Sequence, residues 1–277
     1  MAADLHCHTK VSDGSVSIEE VVMMAKLRGL SALAITDHDT FAGTKKAVAF
    51  GRKIGLNVIP GAEFSSIDSA TGRKAHILCY FCEDTDKLQN LCNTVCEARR
   101  KAGSAMLEKV MQIYPIPAGM VMRRAEGSIT LFKQHIMHAL IDAGYAHELF
   151  GTVFHKLFSS KDGLAYVKVD YPEVHDVIEQ IHNAGGVAVL AHPAEYNSYD
   201  LLNQLATDRE IDGVEVWHPR NGEGDEQKFA SIARENGLFM TGGTDFHGMY
   251  TKISRPIGTC TAPDDQLEQL VQIKKYH

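Results

Sequence analysis

The 277-residue chain is short of several things, and each shortage excludes a class of protein. No apolar run reaches the roughly 18 residues that a membrane span needs, so a bilayer-embedded chain is not expected. The start, Met1-Ala-Ala-Asp-Leu, reaches an acidic residue with no basic stretch before it, so no secretory signal is expected. Basic charge is scarce: 28 Lys and Arg stand against 35 Asp and Glu, a net charge of −7. Duplex nucleic acid as a partner is disfavoured, because that affinity comes mostly from Lys and Arg on phosphates. Repeats, coiled coil and low-complexity tracts are missing as well. The six cysteines are not needed as staples in a chain long enough to bury a full core, and they read as reduced thiols in a cytoplasmic protein. Cys79-x-x-Cys82 with Cys92-x-x-x-Cys96 has the spacing of a four-cysteine zinc site. However, Cys79 lies in an apolar strand-like run, and Cys92 and Cys96 share one helix face, where thiols behave as small hydrophobes.

What is present is an α/β rhythm. Ala3 to His8 reads as a short strand. Ser17 is a helix N-cap with Glu20 as its capping-box partner, and Gly29 ends that helix. Ser31 to Ile35 is a buried strand, Thr40 to Ile54 a helix with Asp39 as its cap, and Asn57 to Pro60 a strand running on toward Phe64. The last third repeats the pattern: a helix from Val174 to Ala184, strands at Val187–Leu190 and Val214–Trp217, a helix from Glu226 to Asn236, a strand at Leu238–Met240, and a helix from Gln266 to Lys275. This βαβα order implies a parallel sheet or barrel. Between Asp86 and Tyr171 only helical patterns occur. The expected organisation is therefore a barrel from residues 1–85 and 172–277, carrying a helical insertion at 86–171 that caps the active site.

The unusual residue is histidine, with 14 copies, most of them in acidic clusters at the ends of apolar runs. His6 and His8 are two apart on a strand and face the same way, and Asp13 follows in the next loop. Asp37-His38-Asp39 follows the second strand, Glu63 the third, His192 the strand at Val187, and Asp245-Phe-His247 the strand at Leu238. His76 enters the strand after Glu63. In an α/β barrel the C-terminal strand ends form one rim, so these distant residues converge there. Six imidazoles and three carboxylates exceed what one ion uses and fit two or three divalent ions. Nitrogen and oxygen donors without thiolate suit Mn, Fe or Zn.

His6-Cys-His8-Thr with Ser12-Asp13-Gly14, Thr36-Asp37-His38-Asp39, Gly61-Ala-Glu63, Ala191-His192-Pro193 and Gly243-Thr-Asp245-Phe-His247 resemble the ordered motifs of the PHP (polymerase and histidinol phosphatase) family. The resemblance implies a distorted seven-stranded (β/α) barrel that hydrolyses phosphoesters by attack of a metal-bridging hydroxide on phosphorus. It implies one metal on His6, His8, Glu63 and Asp245, a second sharing Glu63 with His76 and His192, and a third on Asp13, His38 and His247. Asp37 is cast as a carboxylate holding an imidazole of the catalytic centre. The insertion resembles that of the stand-alone metal-dependent phosphoesterases. Where those relatives carry Thr-Arg-Pro-His this chain has Phe132-Lys133-Gln134-His135. A Gly-Lys-Pro-Ala-Tyr-Val-Pro pattern is replaced by Asp162-Gly-Leu-Ala-Tyr-Val-Lys168, and His-Pro-Ser-His by His218-Pro219-Arg220-Asn221. The metal motifs are intact and the substrate-facing positions are altered.

The expected activity is a phosphomonoesterase acting on a small phosphorylated metabolite of nucleotide or sugar phosphate type. Lys133, His135, Lys168 and Arg220 would hold phosphate, and His218 would protonate the leaving oxygen. The alternative is a phosphodiesterase on a small cyclic or nucleotide diester; less favoured are a metal-binding domain without catalysis and an exonuclease acting on a short oligonucleotide end. His138, His147, His155, His175, His182 and His277 are expected at the surface or in structural roles.

Overall fold

The computed structural model describes residues 2–273. Eight strands form one sheet that curls into a nearly closed barrel, in the order β7-β6-β5-β4-β3-β2-β1-β8. The chain lays down β1 (Ala2–Asp4), α1 (Ile18–Arg28), β2 (Ala32–Ile35), α2 (Thr44–Ile54), β3 (Asn57–Asp68) and β4 (Arg73–Tyr80). Four helices follow, α3 (Gln89–Ile113), α4 (Ala118–Arg124), α5 (Lys133–Asp142) and α6 (Thr152–Phe158). The alternation then resumes with α7 (Val174–Asn183), β5 (Val187–Leu190), α8 (Tyr199–Thr207), β6 (Gly213–Trp217), α9 (Glu223–Asn236), β7 (Phe239–Gly242), β8 (Ala262–Pro263) and α10 (Asp264–Ile273). No helix among the described residues is long and apolar enough to cross a membrane.

Local sequence accounts for most of these elements. Ser17 and Glu20 form the capping box of α1, and Gly29 closes it in the left-handed conformation. Three details depart from expectation. First, α2 begins at Thr44 behind Gly43, not near Thr40, because the Asp39 carboxylate is pulled inward to the Ser65 N–H (2.8 Å) and Arg99 (3.0 Å). Second, β4 runs antiparallel to both β3 and β5, which a strand's hydrophobic pattern does not reveal. Third, the seven expected strands are joined by the two-residue β8, antiparallel to β1 (Ala3↔Ala262). Lys275 and His277 lie outside the described residues.

The first and last major strands meet to close the barrel. Leu5 N–H donates to Gly242 O (3.1 Å), Phe246 N–H to His6 O (3.3 Å) and His8 N–H to Phe246 O (2.8 Å). Gly243 permits this approach: a Cβ there would stand 2.3 Å from His6 Cβ. The barrel interior is filled by Leu5, Ala34, Ile59, Leu78, Val189 and Phe239, and Tyr80 spans it to donate to Leu5 O (2.8 Å). A second apolar layer lies between sheet and helices and contains Cys79 and Cys92; Cys96 is buried as well. Burial pushes the Cys92 thiol up to about 12 and the Cys96 thiol up to about 11, as expected of hydrophobes. The helices α3 to α6 have a core of their own, around Met106, Val110, Ile136, Met137, Leu140 and Leu157.

Candidate metal centre

The strand ends bring together all nine residues expected to bind metal. His6 and His8, on the extended segment after β1, present their Nε2 atoms 3.2 Å apart. Glu63 stands at the middle. Its Oε2 is 3.2 Å from His6 Nε2, 3.1 Å from His8 Nε2 and 3.3 Å from His38 Nδ1. Its Oε1 is 2.7 Å from His76 Nδ1 and 2.9 Å from His192 Nε2. Because β4 is antiparallel, its beginning lies on the rim where the parallel strands end, and so His76 reaches the site. Asp13 Oδ1 is 3.2 Å from His247 Nε2, and Asp245 Oδ1 is 3.4 Å from His8 Nε2.

The donor set fits divalent cations. Four overlapping groups have ligand atoms close enough to share an ion: His8-Asp13-His38-His247, His6-Glu63-His192, His6-His8-Asp245 and His38-Glu63-His76. No cysteine enters any such group among the described residues. Among the described residues the buried Nδ1 atoms of His8 and His192 have no hydrogen-bond partner, and orphaned buried nitrogens are costly. Electrostatics agree. Burial opposes ionisation of Glu63, yet His38, His6 and His76 hold its carboxyl well below the usual carboxylate range. The Asp13 and Asp245 carboxyls are likewise held low, against burial, by His247 and neighbouring imidazoles. Burial also opposes protonation of His8, but Asp245 and Glu63 raise it to about 10. The site thus concentrates negative charge that demands a positive partner, proton or metal.

Left-handed backbone at His192 (φ 28°) and Asp245 (φ 51°) turns each ligand back over the rim just past its strand. Such conformations are strained for non-glycine residues and persist where the surroundings enforce them.

A ring of buried partners orients these ligands, and part of it was not expected from sequence. Glu215 on β6 accepts from the His192 N–H (2.8 Å) and lies 3.0 Å from His6 Nδ1. The available signal was a carboxylate inside the apolar strand Val214-Glu-Val216. Among the described residues Asp37 holds no imidazole. Its carboxylate binds the Thr9 N–H and Oγ1 (both 2.7 Å) and Ser12 Oγ (2.6 Å), tying down the loop that carries Asp13. Arg255, also unforeseen, donates to Asp245 Oδ2 (3.1 Å).

A cavity of about 540 Å³ opens over the centre, walled by residues that include Asp13, His38, Arg99, Phe132, Lys133 and Tyr166. Lys133, Lys168 and Arg220 are among the residues that line it, with Lys168 (3.7 Å from Asp170) and Arg220 (2.7 Å from Glu195) at its exposed edge. Two expectations change. His135 is not in the cavity wall: it is buried, and its Nδ1 accepts from the Phe132 N–H (3.3 Å) at the start of α5. Burial lowers it to about 4, so it is neutral and no cation for phosphate. His218 is buried behind Asp245, its Nε2 3.5 Å from Oδ2, and does not line the cavity where a leaving group would sit. Of the remaining histidines, His155 is exposed at the cavity wall, His147 is exposed, and His138, His175 and His182 pair with Tyr250, Glu210 and Asp212.

The pattern of the PHP domain matches residues 4–187. A phosphoribosyl 1,2-cyclic phosphate 1,2-diphosphodiesterase of Eggerthella lenta is 34% identical over 91% of this chain and 97% of its own length. A 5′-3′ exoribonuclease of Haemophilus influenzae is 31% identical over 88% of this chain and 89% of its own. Among solved structures, a chain from Bifidobacterium adolescentis described as a metal-dependent phosphoesterase superposes with a TM-score of 0.88 at 30% identity, covering 98% of this chain and 95% of that one.

Proposed function

The chain belongs to the PHP domain family, and from that premise we propose that it is a metal-dependent phosphoesterase acting on a small phosphorylated metabolite. The observation that carries the reading is Glu63, whose two carboxylate oxygens face two separate sets of imidazoles, as a bridging ligand requires. Two or three ions, Mn, Fe or Zn, would be held by His6, His8, Glu63 and Asp245; by Glu63, His76 and His192; and by Asp13, His38 and His247. When bound they supply Lewis acidity toward phosphoryl oxygens and a water of lowered pKa. The chain's own side chains do the positioning. Lys133, with Lys168 and Arg220 at the rim, attracts the anionic ester into a protein of net charge −7. Residues 86–171 would serve as a cap that limits the cavity to small substrates, a role supported by Phe132, Lys133 and Tyr166 of this segment lining it. The six free thiols suit a cytoplasmic enzyme.

A second reading, cyclic phosphodiester hydrolysis, is favoured by the Eggerthella lenta relative. One experiment separates the readings. Mn-loaded protein is given nucleoside mono- and bisphosphates, sugar phosphates, histidinol phosphate, cyclic phosphates and a short 5′-phosphorylated RNA, with chelated protein as control. Free phosphate as first product supports the monoesterase, a monoester from a cyclic substrate supports the diesterase, and nucleotides from RNA support the exonuclease. No chelator-sensitive turnover on any of them refutes the proposal.

A further inference from the structure

The expected third metal site, Asp13, His38 and His247, differs from the other two in what holds it. Val11, Ser12 and Asp13, three consecutive residues of the loop after His8, each accept a hydrogen bond from the inserted helical segment. Ile129 N–H donates to Val11 O (2.9 Å), Ser128 Oγ to Ser12 O (2.6 Å) and Gln134 Nε2 to Asp13 Oδ2 (3.0 Å). The same segment meets the other two ligands. The Phe132 ring lies 6.3 Å from the His38 ring, with 27° between their planes. Tyr250 is packed into the apolar core of α3 to α6, with its hydroxyl 2.9 Å from His138 Nδ1, and its N–H donates to His247 O (3.3 Å). The remaining ligands have partners outside that segment: Glu215 beside His6 and His192, the Tyr196 hydroxyl 3.4 Å from His76 Nε2, and Arg255 on Asp245.

Gln134 is the contact that bears directly on a ligand atom. Its amide takes Asp13 Oδ2, while Oδ1 faces His247 Nε2 (3.2 Å) and His8 Nδ1 (3.7 Å). An amide donates without carrying charge, so it turns the carboxylate without setting a rival cation beside an incoming metal. A lysine or arginine in its place would neutralise the ligand. The neighbouring Lys133 is turned elsewhere, over the Tyr166 ring (4.9 Å), where burial, then the charges of Lys74 and Arg99, bring its ammonium down to about 8. Asp37 holds Thr9 and Ser12 from the barrel side, so the loop that carries Asp13 is gripped by the barrel and by the inserted segment together.

We infer that Gln134 is a positioning residue for the third metal, acting through Asp13, and that occupancy of this site and the seating of α5 against it favour each other. The inference rests on the metal-dependent reading for the existence of that site. Its content is selective. Loosening the inserted segment costs the ion on Asp13 and spares those held by other residues. By reciprocity, that ion steadies the segment that lines the cavity.

Two measurements test it. Mn is titrated by calorimetry into chelator-stripped wild type, Asp13→Asn and Gln134→Leu. The Asp13→Asn protein identifies the binding step that needs this carboxylate. Gln134→Leu should weaken that step about 10- to 100-fold and leave the other steps unchanged. Equal affinities in Gln134→Leu and wild type, or a uniform loss across all steps, overturn the positioning role. Separately, hydrogen exchange is followed by mass spectrometry in peptides covering 126–134, which include the Ile129 N–H. Mn should slow their exchange in wild type by about tenfold or more, and Asp13→Asn should lose that protection. No Mn-dependent change there overturns the coupling, whether or not Gln134→Leu folds. Wild type that binds neither Mn nor Zn refutes the metal-dependent reading and the inference with it. Unaltered steps in a Mn-binding Gln134→Leu protein overturn the inference alone.

Discussion

Glu215 Oε1 lies 3.0 Å from His6 Nδ1, on the side of the ring opposite the atom that faces Glu63. A carboxylate in that position sets the tautomer that leaves Nε2 free to bind metal and raises the basicity of the ligand. Glu215→Gln should therefore weaken metal binding by about 10- to 100-fold while every expected ligand remains. Metal content after dialysis, with competition against a chelator, reads this directly; unchanged affinity would assign Glu215 a purely structural role.

His38 and Asp245 sit on loops past their strands, outside the packed barrel interior. His38→Ala or Asp245→Ala should remove activity by several orders of magnitude and shift thermal unfolding little. Circular dichroism beside turnover checks both halves, and full turnover by either metal-loaded variant would refute the site.

Lys133 is a cation below about 8 and neutral above it, so its hold on an anionic substrate is present at lower pH and lost as pH rises through that value. KM should climb on the alkaline side with an apparent midpoint near 8 or, if substrate binding stabilises the ammonium, higher. Lys133→Arg stays charged throughout and should remove that limb. A KM profile that is the same in both proteins would show that Lys133 does not meet the substrate.

Gly243→Ala places a methyl group 2.3 Å from His6 Cβ, where both backbones are fixed by strand pairing. Destabilisation of about 1–3 kcal/mol, the usual range for overpacking, is expected together with reduced metal affinity, because His6 is what must move. Denaturant unfolding of the chelated protein isolates the first effect; wild-type stability and metal content would mean that the barrel seam relaxes freely.

Much of the ligand set was legible because its members carry local marks: imidazoles two apart, or a carboxylate beside an imidazole, each just after an apolar run. The partners that hold them were not. Glu215 meets His6 across 209 residues of sequence, and Arg99 meets Asp39 across 60. No local period encodes such pairs. The same limit explains Asp39, whose place before a helix suggested a cap and whose buried carboxylate serves Arg99 and Ser65 instead. Strand direction is illegible for a related reason: the sequence puts His76 at the entry to β4, but only the reversal of that strand places its beginning on the active rim. His135 fits the family pattern in sequence, yet its ring is spent on the backbone at the start of α5.

The barrel seam has a consequence for assembly. His6 and His8 follow the first strand, Asp245 and His247 follow the seventh, and the backbone bridge between Cys7 and Phe246 holds the two ends together. A cation shared by His8 and His247 is a clasp across nearly the whole chain, so its binding and the final closure of the barrel are one linked equilibrium. An ion bound there would favour the closed seam by mass action, as well as serve the reaction.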